Sequence, residues 1–306
     1  MKRVAVLMGG WSAEREISLV SGGECARALA QVGYEVTRID LTRDLPALIA
    51  ALTPPPDVVF NALHGRGGED GTIQGVLEML RIPYTHSGVA ASALAMDKPM
   101  AKRLFAAAGL PLAESVVLER GALEAGDPLP RPFVVKPINE GSSVGVQIVR
   151  PGDNRWTAEV ARWAFGERVM VERYVPGREI TVAVMGDRAL GVLEIRPAEG
   201  AFYDYAAKYV PGGSVHLLPA PIHPSAHAAA MAIALAAHRA LGCRGVSRAD
   251  LRYDDTGGEP GRMVLLEINT QPGMTPTSLV PEIAQHAGIS FAELVCWMVE
   301  NAACDS

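Results

Sequence analysis

Lysine is scarce in this chain. Of 28 basic residues among 306, 23 are arginine, and only Lys2, Lys98, Lys102, Lys136 and Lys208 are lysine. A genome that favours arginine codons explains the bias, but it makes each remaining lysine worth a question. No basic run exceeds two residues, and 34 acidic residues leave a net charge of −6, so the electrostatic footprint of a nucleic-acid binder is missing. The four cysteines, Cys25, Cys243, Cys296 and Cys304, contain no C-x-x-C pair and have no nearby ligand histidine. That spacing argues against a zinc site or a disulfide framework and predicts buried free thiols in a reducing compartment. Long apolar runs are missing too. Ala228 to Ala237, between His227 and His238, is about half of what a bilayer requires and predicts an alanine-rich core helix, with no membrane insertion. Val4 to Met8 after Met1-Lys2-Arg3 is too short for a secretion signal.

A hydrophobic fraction of 49% excludes a disordered chain, and 31 glycines with 22 prolines predict many short elements joined by turns. The expected class is α/β and α+β. Residues 1–95 alternate strands (Val4–Met8, Glu35–Leu41, Val58–Leu63) with helices (Ile17–Gln31, Pro46–Leu52, Thr72–Leu80), which predicts an N-terminal doubly wound parallel sheet. Ligands on such sheets lie at the carboxyl ends of the strands. Those ends are Gly9 to Glu14 and His64 to Gly71. Two α+β units should follow, residues 96–178 and 179–306. The first carries a helix at Pro99–Ala108 and strands at Ser115–Leu118, Phe133–Lys136, Val146–Val149 and Val169–Tyr174. The second has strands at Ile180–Met185, Ala189–Ile195, Val246–Tyr253 and Met263–Asn269, and helices near Ser225–Leu241, Pro281–His286 and Phe291–Asn301. Ala198 to Pro221 is too long for an ordinary connection and reads as a functional loop.

Three constellations carry chemistry. Arg248 and Asp250 lie two apart on one predicted strand, as do Glu267 and Asn269 on the next, so each pair shares a face. A symmetric hairpin sets Asp250 opposite Glu267 and Arg248 opposite Asn269. Two carboxylates and a carboxamide make an oxygen-rich site of the kind Mg²⁺ uses when it also holds phosphates; the plain alternative is an exposed charged strand. Second, Phe133 to Lys136 ends a strand in lysine, and Glu140-Gly141-Ser142-Ser143-Val144-Gly145 follows. Small residues let N–H groups approach a phosphate while lysine supplies the charge, although a flexible hairpin tip would look similar. Third, Glu172-Arg173-Tyr174-Val175-Pro176-Gly177-Arg178-Glu179 reads as strand, sharp turn and strand. It is either a linker or a hinge offering backbone groups to a purine and a carboxylate to a ribose.

Together with Gly9-Gly10-x-Ser12-Ala13-Glu14-Arg15-Glu16, His64-Gly65-Arg66-Gly67-Gly68-Glu69-Asp70-Gly71, Met96-Asp97-Lys98, Phe202-Tyr203-Asp204-Tyr205-x-x-Lys208-Tyr209 and Glu267-x-Asn269-x-x-Pro272-Gly273-Met274, these segments resemble the D-alanine:D-alanine ligases of the ATP-grasp superfamily in order and spacing, over essentially the whole chain. The resemblance implies an ATP-grasp fold and cytoplasmic synthesis of a peptidoglycan precursor: ATP phosphorylates one D-alanine, and a second D-alanine attacks the acyl phosphate. It implies two Mg²⁺ ions, or Mn²⁺ in their place, on Asp250, Glu267 and Asn269, with ATP held by Lys98, Lys136, Ser143, Glu172, Arg173, Val175 and Glu179. It further implies that Glu14 holds the first substrate's ammonium with Ser142 and Tyr209, that Arg248 and the Gly273 N–H form an oxyanion hole, and that Lys208 rides on a lid. Ser278 and Leu279 would take the second carboxylate, His64 would lie near the first substrate, and the N-terminal unit would form a homodimer. Plainer roles are open for several of these: Glu14 as a first-turn helix residue, Ser278 as an N-cap, Tyr209 as loop packing and His64 as a structural histidine. Tyr209 favours an amine as second substrate over D-lactate by the same resemblance. Gln271, where the family usually has a small hydroxyl residue, Ser247 and Asn139 depart from its pattern.

Three other readings compete. A different ATP-grasp ligase is disfavoured by Glu14, Tyr209 and Ser278, and a silent nucleotide-binding module by the complete cation and carboxylate set. A nicotinamide dehydrogenase fails on glycine spacing.

Overall fold

Along the first strand, β1 (Arg3–Gly9), alternate side chains enter two different cores. Val4 and Val6 pack with Val58 and Phe60 against Cys25 and Leu29 of helix α1 (Arg15–Gln31), while Ala5 and Leu7 meet Leu48, Leu52, Ile73 and Leu77 on the opposite face. The helices on that second face are α2 (Leu45–Ala51) and α3 (Thr72–Leu80). With β2 (Glu35–Leu41) and β3 (Val58–Asn61) paired parallel to β1, the order is β2-β1-β3, so the doubly wound reading holds. The computed structural model describes residues 1–141, 145–153, 156–197 and 213–305.

Two antiparallel sheets follow. The smaller, β4 (Ser115–Glu119), β7 (Arg168–Arg173), β5 (Phe133–Pro137) and β6 (Gln147–Val149), encloses Phe133, Trp156 and Val171, with a short helix α6 (Trp156–Val160) and a 3-10 turn (Arg120–Ala125) on its inner face. The larger runs β10 (Ser214–Leu217), β9 (Arg188–Pro197), β8 (Arg178–Met185), β11 (Val246–Asp254) and β12 (Arg262–Asn269). The alanine-rich segment is helix α7 (Pro224–Ala240); Ala226, Ala230, Ala234 and Ala237 are buried at a spacing of three to four and let the helix lie close on this sheet.

Three features depart from what the sequence predicts. A helix at Val89–Met96 (α4), composed mostly of small residues, precedes α5 (Lys98–Ala107), and Asp97 between them caps α5 through the Met100 N–H at 3.0 Å. The stretch from Ala198 to Pro221 is not loop throughout, because Ser214–Leu217 extends the sheet along β9 with Ser214 opposite Pro197. Of the four free cysteines only Cys25 is fully buried.

The last helices, α8 (Leu279–His286) and α9 (Phe291–Glu300), return to the N-terminal sheet, where Ile283, Leu294 and Met298 share a core with Val6 and Phe60. This closure ties the last third of the chain to the first. Among the described residues no helix is long and apolar enough to cross a membrane.

Two buried histidines make the fold sensitive to acid. His86 and His238 are each 3% exposed, and His238 shares a 2.7 Å hydrogen bond with Ser247. Burial lowers His86 to about 3 and His238 to about 4, from 6.5. Below 6.5 the unfolded chain therefore binds protons that the folded chain does not, so stability is full above that pH and falls as acid is added. Each histidine should remove up to about 1.4 kcal/mol per pH unit between 6.5 and its folded value. Unfolding midpoints measured from pH 7.5 to 5 should drop, and His86→Asn should flatten the slope.

Candidate functional site

The β11–β12 hairpin has the register expected from sequence where chemistry needs it: Arg248 faces Asn269 and Asp250 faces Glu267. Immediately beyond, the register slips, Leu251 facing Leu265, so that Leu266 is an extra residue. This bulge turns Leu265 into the core while Leu266 and Glu267 both face a cleft. Asp250 is gripped from two sides. Arg248 forks onto it at 2.8 and 2.7 Å, and Thr181 on β8 donates to it at 2.8 Å. Glu267 lies 3.5 Å from Lys98 at the start of α5.

That cleft, of about 920 Å³, lies between the two antiparallel sheets. Lys136 and Val134 of β5 form one wall, Tyr174 and Val175 the back, and Asp250, Arg252 and Glu267 the other wall. The back is the turn from β7 to β8. Gly177 has φ +88°, and a Cβ there would lie 2.1 Å from the Tyr253 carbonyl, so the turn closes only with glycine. Arg252, which the sequence reading did not single out, anchors this hinge by donating to the carbonyls of Val175 and Gly177 at 3.1 and 2.7 Å, with Glu179 3.6 Å away. Arg173 lies at the cleft and 3.9 Å from Glu114. Glu172 is not open to a ribose. Its carboxylate is 2% exposed and bridges Lys136, at 2.5 Å, and Lys102 of α5, a lysine that sequence motifs did not flag. Burial pushes the Glu172 carboxyl up, but the two lysines outweigh it and hold it below the ordinary range.

A second cavity of about 710 Å³ adjoins the first and shares Lys98, Glu140 and Glu267 with it. It is lined by Glu14, His64, Arg248, Asn269 and Gly273, which come from both ends of the chain. Glu14 precedes α1 without capping it and is 8% exposed. His64 is fixed at both nitrogens, 3.3 Å from Glu69 and 3.2 Å from Ser21, whose hydroxyl also accepts from the Met274 N–H at 3.3 Å. Burial raises the Glu69 carboxyl, with Glu14 adding to the shift and the His64 hydrogen bond opposing it. Ser278 does sit at the N-cap of α8, yet its hydroxyl accepts from the Thr275 N–H at 2.9 Å and not from the helix, and Leu279 begins that helix in the core. The glycine-rich segment folds tightly against the turn after β1: Gly67 has φ +87°, and a Cβ would lie 2.2 Å from the Trp11 ring. Ser142, Ser143, Lys208 and Tyr209 lie outside the described residues.

These features can be set beside known proteins. The family models described as D-ala D-ala ligase N-terminus and D-ala D-ala ligase C-terminus match residues 46–87 and 104–300. The D-alanine–D-alanine ligase of Acidiphilium cryptum is 64% identical over 305 residues, 99% of each chain. The chain belongs to the D-alanine–D-alanine ligase family. The Granulibacter bethesdensis member of the family is 61% identical over 99% of both chains. Among solved structures, the Bacillus anthracis D-alanine–D-alanine ligase complexed with ATP superposes with a TM-score of 0.81 at 28% identity, covering 98% of this chain and 97% of that one. The VanG D-Ala:D-Ser ligase of Enterococcus faecalis gives 0.81 at 29% identity, over 98% of both chains. The fold is therefore that of an ATP-grasp ligase.

Within this family framework Gln271 has a physical role that its position in the sequence did not reveal. It is 1% exposed; its Oε1 accepts from Asn61 Nδ2 at 2.7 Å, and its Nε2 donates to the Leu63 carbonyl. A side chain after β12 is thus pinned to the end of β3, immediately before His64. Gln271→Ala should leave the Asn61 amide and the Leu63 carbonyl buried without this partner, costing about 1–3 kcal/mol in denaturant unfolding.

Proposed function

We propose that the protein joins two D-alanine molecules through a D-alanyl phosphate, releasing ADP and phosphate, and so supplies a peptidoglycan precursor in the cytoplasm. The observation that carries this reading is the junction of the two cavities at Lys98, Glu140 and Glu267. A nucleotide in the larger cleft would present its γ-phosphate at that junction, and a small amino acid in the other cavity would present its carboxylate there. The carboxylate oxygen bonds to the γ-phosphorus as the bond to ADP breaks. The second amine then attacks the acyl carbon, loses a proton, and phosphate leaves.

The chain's own groups meet these demands. Lys98 and Lys136 offset phosphate charge, and Val175 with its neighbours gives the adenine an edge to stack and bond against. Glu179 and Arg173, which both line the cleft, would serve the ribose side of the nucleotide. Glu14 would take the first ammonium and Arg248 with the Gly273 N–H the tetrahedral oxyanion, while Ser278 and Leu279 would face the second carboxylate. His64, held by Glu69 and Ser21, would set the wall against the first substrate. Ser143 would join the ATP-binding set, Ser142 and Tyr209 would bond Glu14, and Lys208 would ride on a lid that keeps water from the acyl phosphate.

The residues fit divalent cations. Asp250, Glu267 and Asn269 are all oxygen donors at adjacent register positions of one sheet face. Among the described residues no three His, Cys, Asp or Glu side chains gather as a metal site, so a cation here would draw remaining ligands from phosphates and water. Two Mg²⁺ ions, or Mn²⁺, would supply Lewis-acid neutralisation of the transferring phosphate. A homodimer through the N-terminal unit is part of the same proposal; the exposed Leu45, Ile49 and Met79 of that unit support it.

The purified protein with Mg²⁺ and ATP should release ADP, with a D-Ala-D-Ala mass, on D-alanine, but not on L-alanine. Adding D-lactate or D-serine to the D-alanine should not divert the product. ATP protection against unfolding with no turnover on any of these would sink the ligase reading. Glu267→Gln should keep ATP affinity within a few-fold while turnover falls by at least about a thousandfold, as for loss of a group that supports transition-state charge. Full activity in that variant would remove the metal assignment.

A further inference from the structure

Lys102 is 7% exposed on α5, and its ammonium bonds the carboxylate of Glu172 and donates to the Ala113 carbonyl at 2.8 Å. Lys136 reaches the other oxygen of the same carboxylate. The two lysines stand on opposite sides of it: Lys136 and Glu172 line the nucleotide cleft, whereas Lys102 lines a separate groove behind the hinge. Lys102 is therefore not one of the residues that line the cleft, and nothing about the acyl transfer needs it. Burying it is nonetheless costly, and burial does lower its basicity, with Glu172 opposing the shift. In a chain with 23 arginines, a lysine is kept here, where one carboxylate oxygen and one carbonyl suit a compact point charge better than a planar fork.

The charge count explains the arrangement. A buried Lys136–Glu172 pair by itself is neutral and would show a triphosphate no net attraction. With Lys102 behind it, one anion is shared by two cations and the cluster carries one positive charge, which only Lys136 presents to the cleft.

We propose that Lys102 is a positioning residue for nucleotide binding: by engaging Glu172 from behind, it frees the charge of Lys136 for the phosphates. This rests on the nucleotide reading of the cleft.

The test compares ADP and adenosine binding, by calorimetry on the full-length protein, in wild type, Lys102→Met, Glu172→Gln and the double variant. Lys102→Met should weaken ADP about tenfold, since one unit charge is lost near the phosphates, while adenosine binding stays unchanged. The double variant regains a single positive charge on Lys136 and should recover ADP affinity to within about twofold of wild type. A merely structural role would weaken both ligands together and leave the double variant no better than Lys102→Met; either result overturns the inference. Should Lys102→Met fail to fold, Glu172→Gln decides: ADP affinity at or above wild type supports the proposal, and a loss overturns it. A wild-type protein that binds neither ligand would instead overturn the nucleotide reading, and this inference with it.

Discussion

Three carboxylates around the cleft, Glu172 buried and Asp250 and Glu267 partly so, are each matched by a cation, and the arrangement of the cleft depends on that matching. Asp250 has Arg248, Glu267 has Lys98, and Glu172 has Lys136 and Lys102. Unpaired, the buried Glu172 would protonate or pull the local chain toward solvent, because the desolvation of an isolated charge exceeds what packing returns. Paired, the three acids and their cations form a lattice of alternating charge along the cleft. Lys98 and Lys136, which line the cleft, are the same cations that pair with its acids.

Such a lattice requires rigid supports, and three different parts of the chain provide them. β11 and β12 give Arg248, Asp250, Glu267 and Asn269 a common face, with the bulge at Leu266 allowing Glu267 to face the cleft while Leu265 stays in the core. α5 carries Lys98 and Lys102 one turn apart and aims them at two acids from two different sheets. The N-terminal sheet contributes Glu14 and His64 at the ends of β1 and β3, held against the last strand by Asn61 and Gln271. The core shared by Val6, Phe60, Ile283 and Leu294 fixes this sheet relative to the larger one. The second cavity is a seam between the beginning and the end of the chain.

Most elements were readable from periodicity because their apolar patterns are strong: the two-faced alternation of β1, the alanine spacing of α7, the strand pairs flanking turns. The helix at Val89–Met96 escaped, since small residues carry little amphipathic contrast and its cap is a glycine. Ser214–Leu217 escaped because four residues at a sheet edge are recognisable only by the partner they extend.

Sequence by itself determined the family, the layered class, the hairpin register that aligns Asp250 with Glu267, and the residue types that phosphate and cation chemistry need. These are local properties, encoded in strand parity, turn composition and motif spacing. The tertiary structure alone decided that Glu172 bridges two lysines, that Arg252 anchors the hinge, that Gln271 reaches the strand before His64, and that the two cavities meet at Lys98, Glu140 and Glu267. Each joins residues far apart in the chain, and distances of that kind are set by how the sheets and helices pack, which leaves no periodic trace in the sequence.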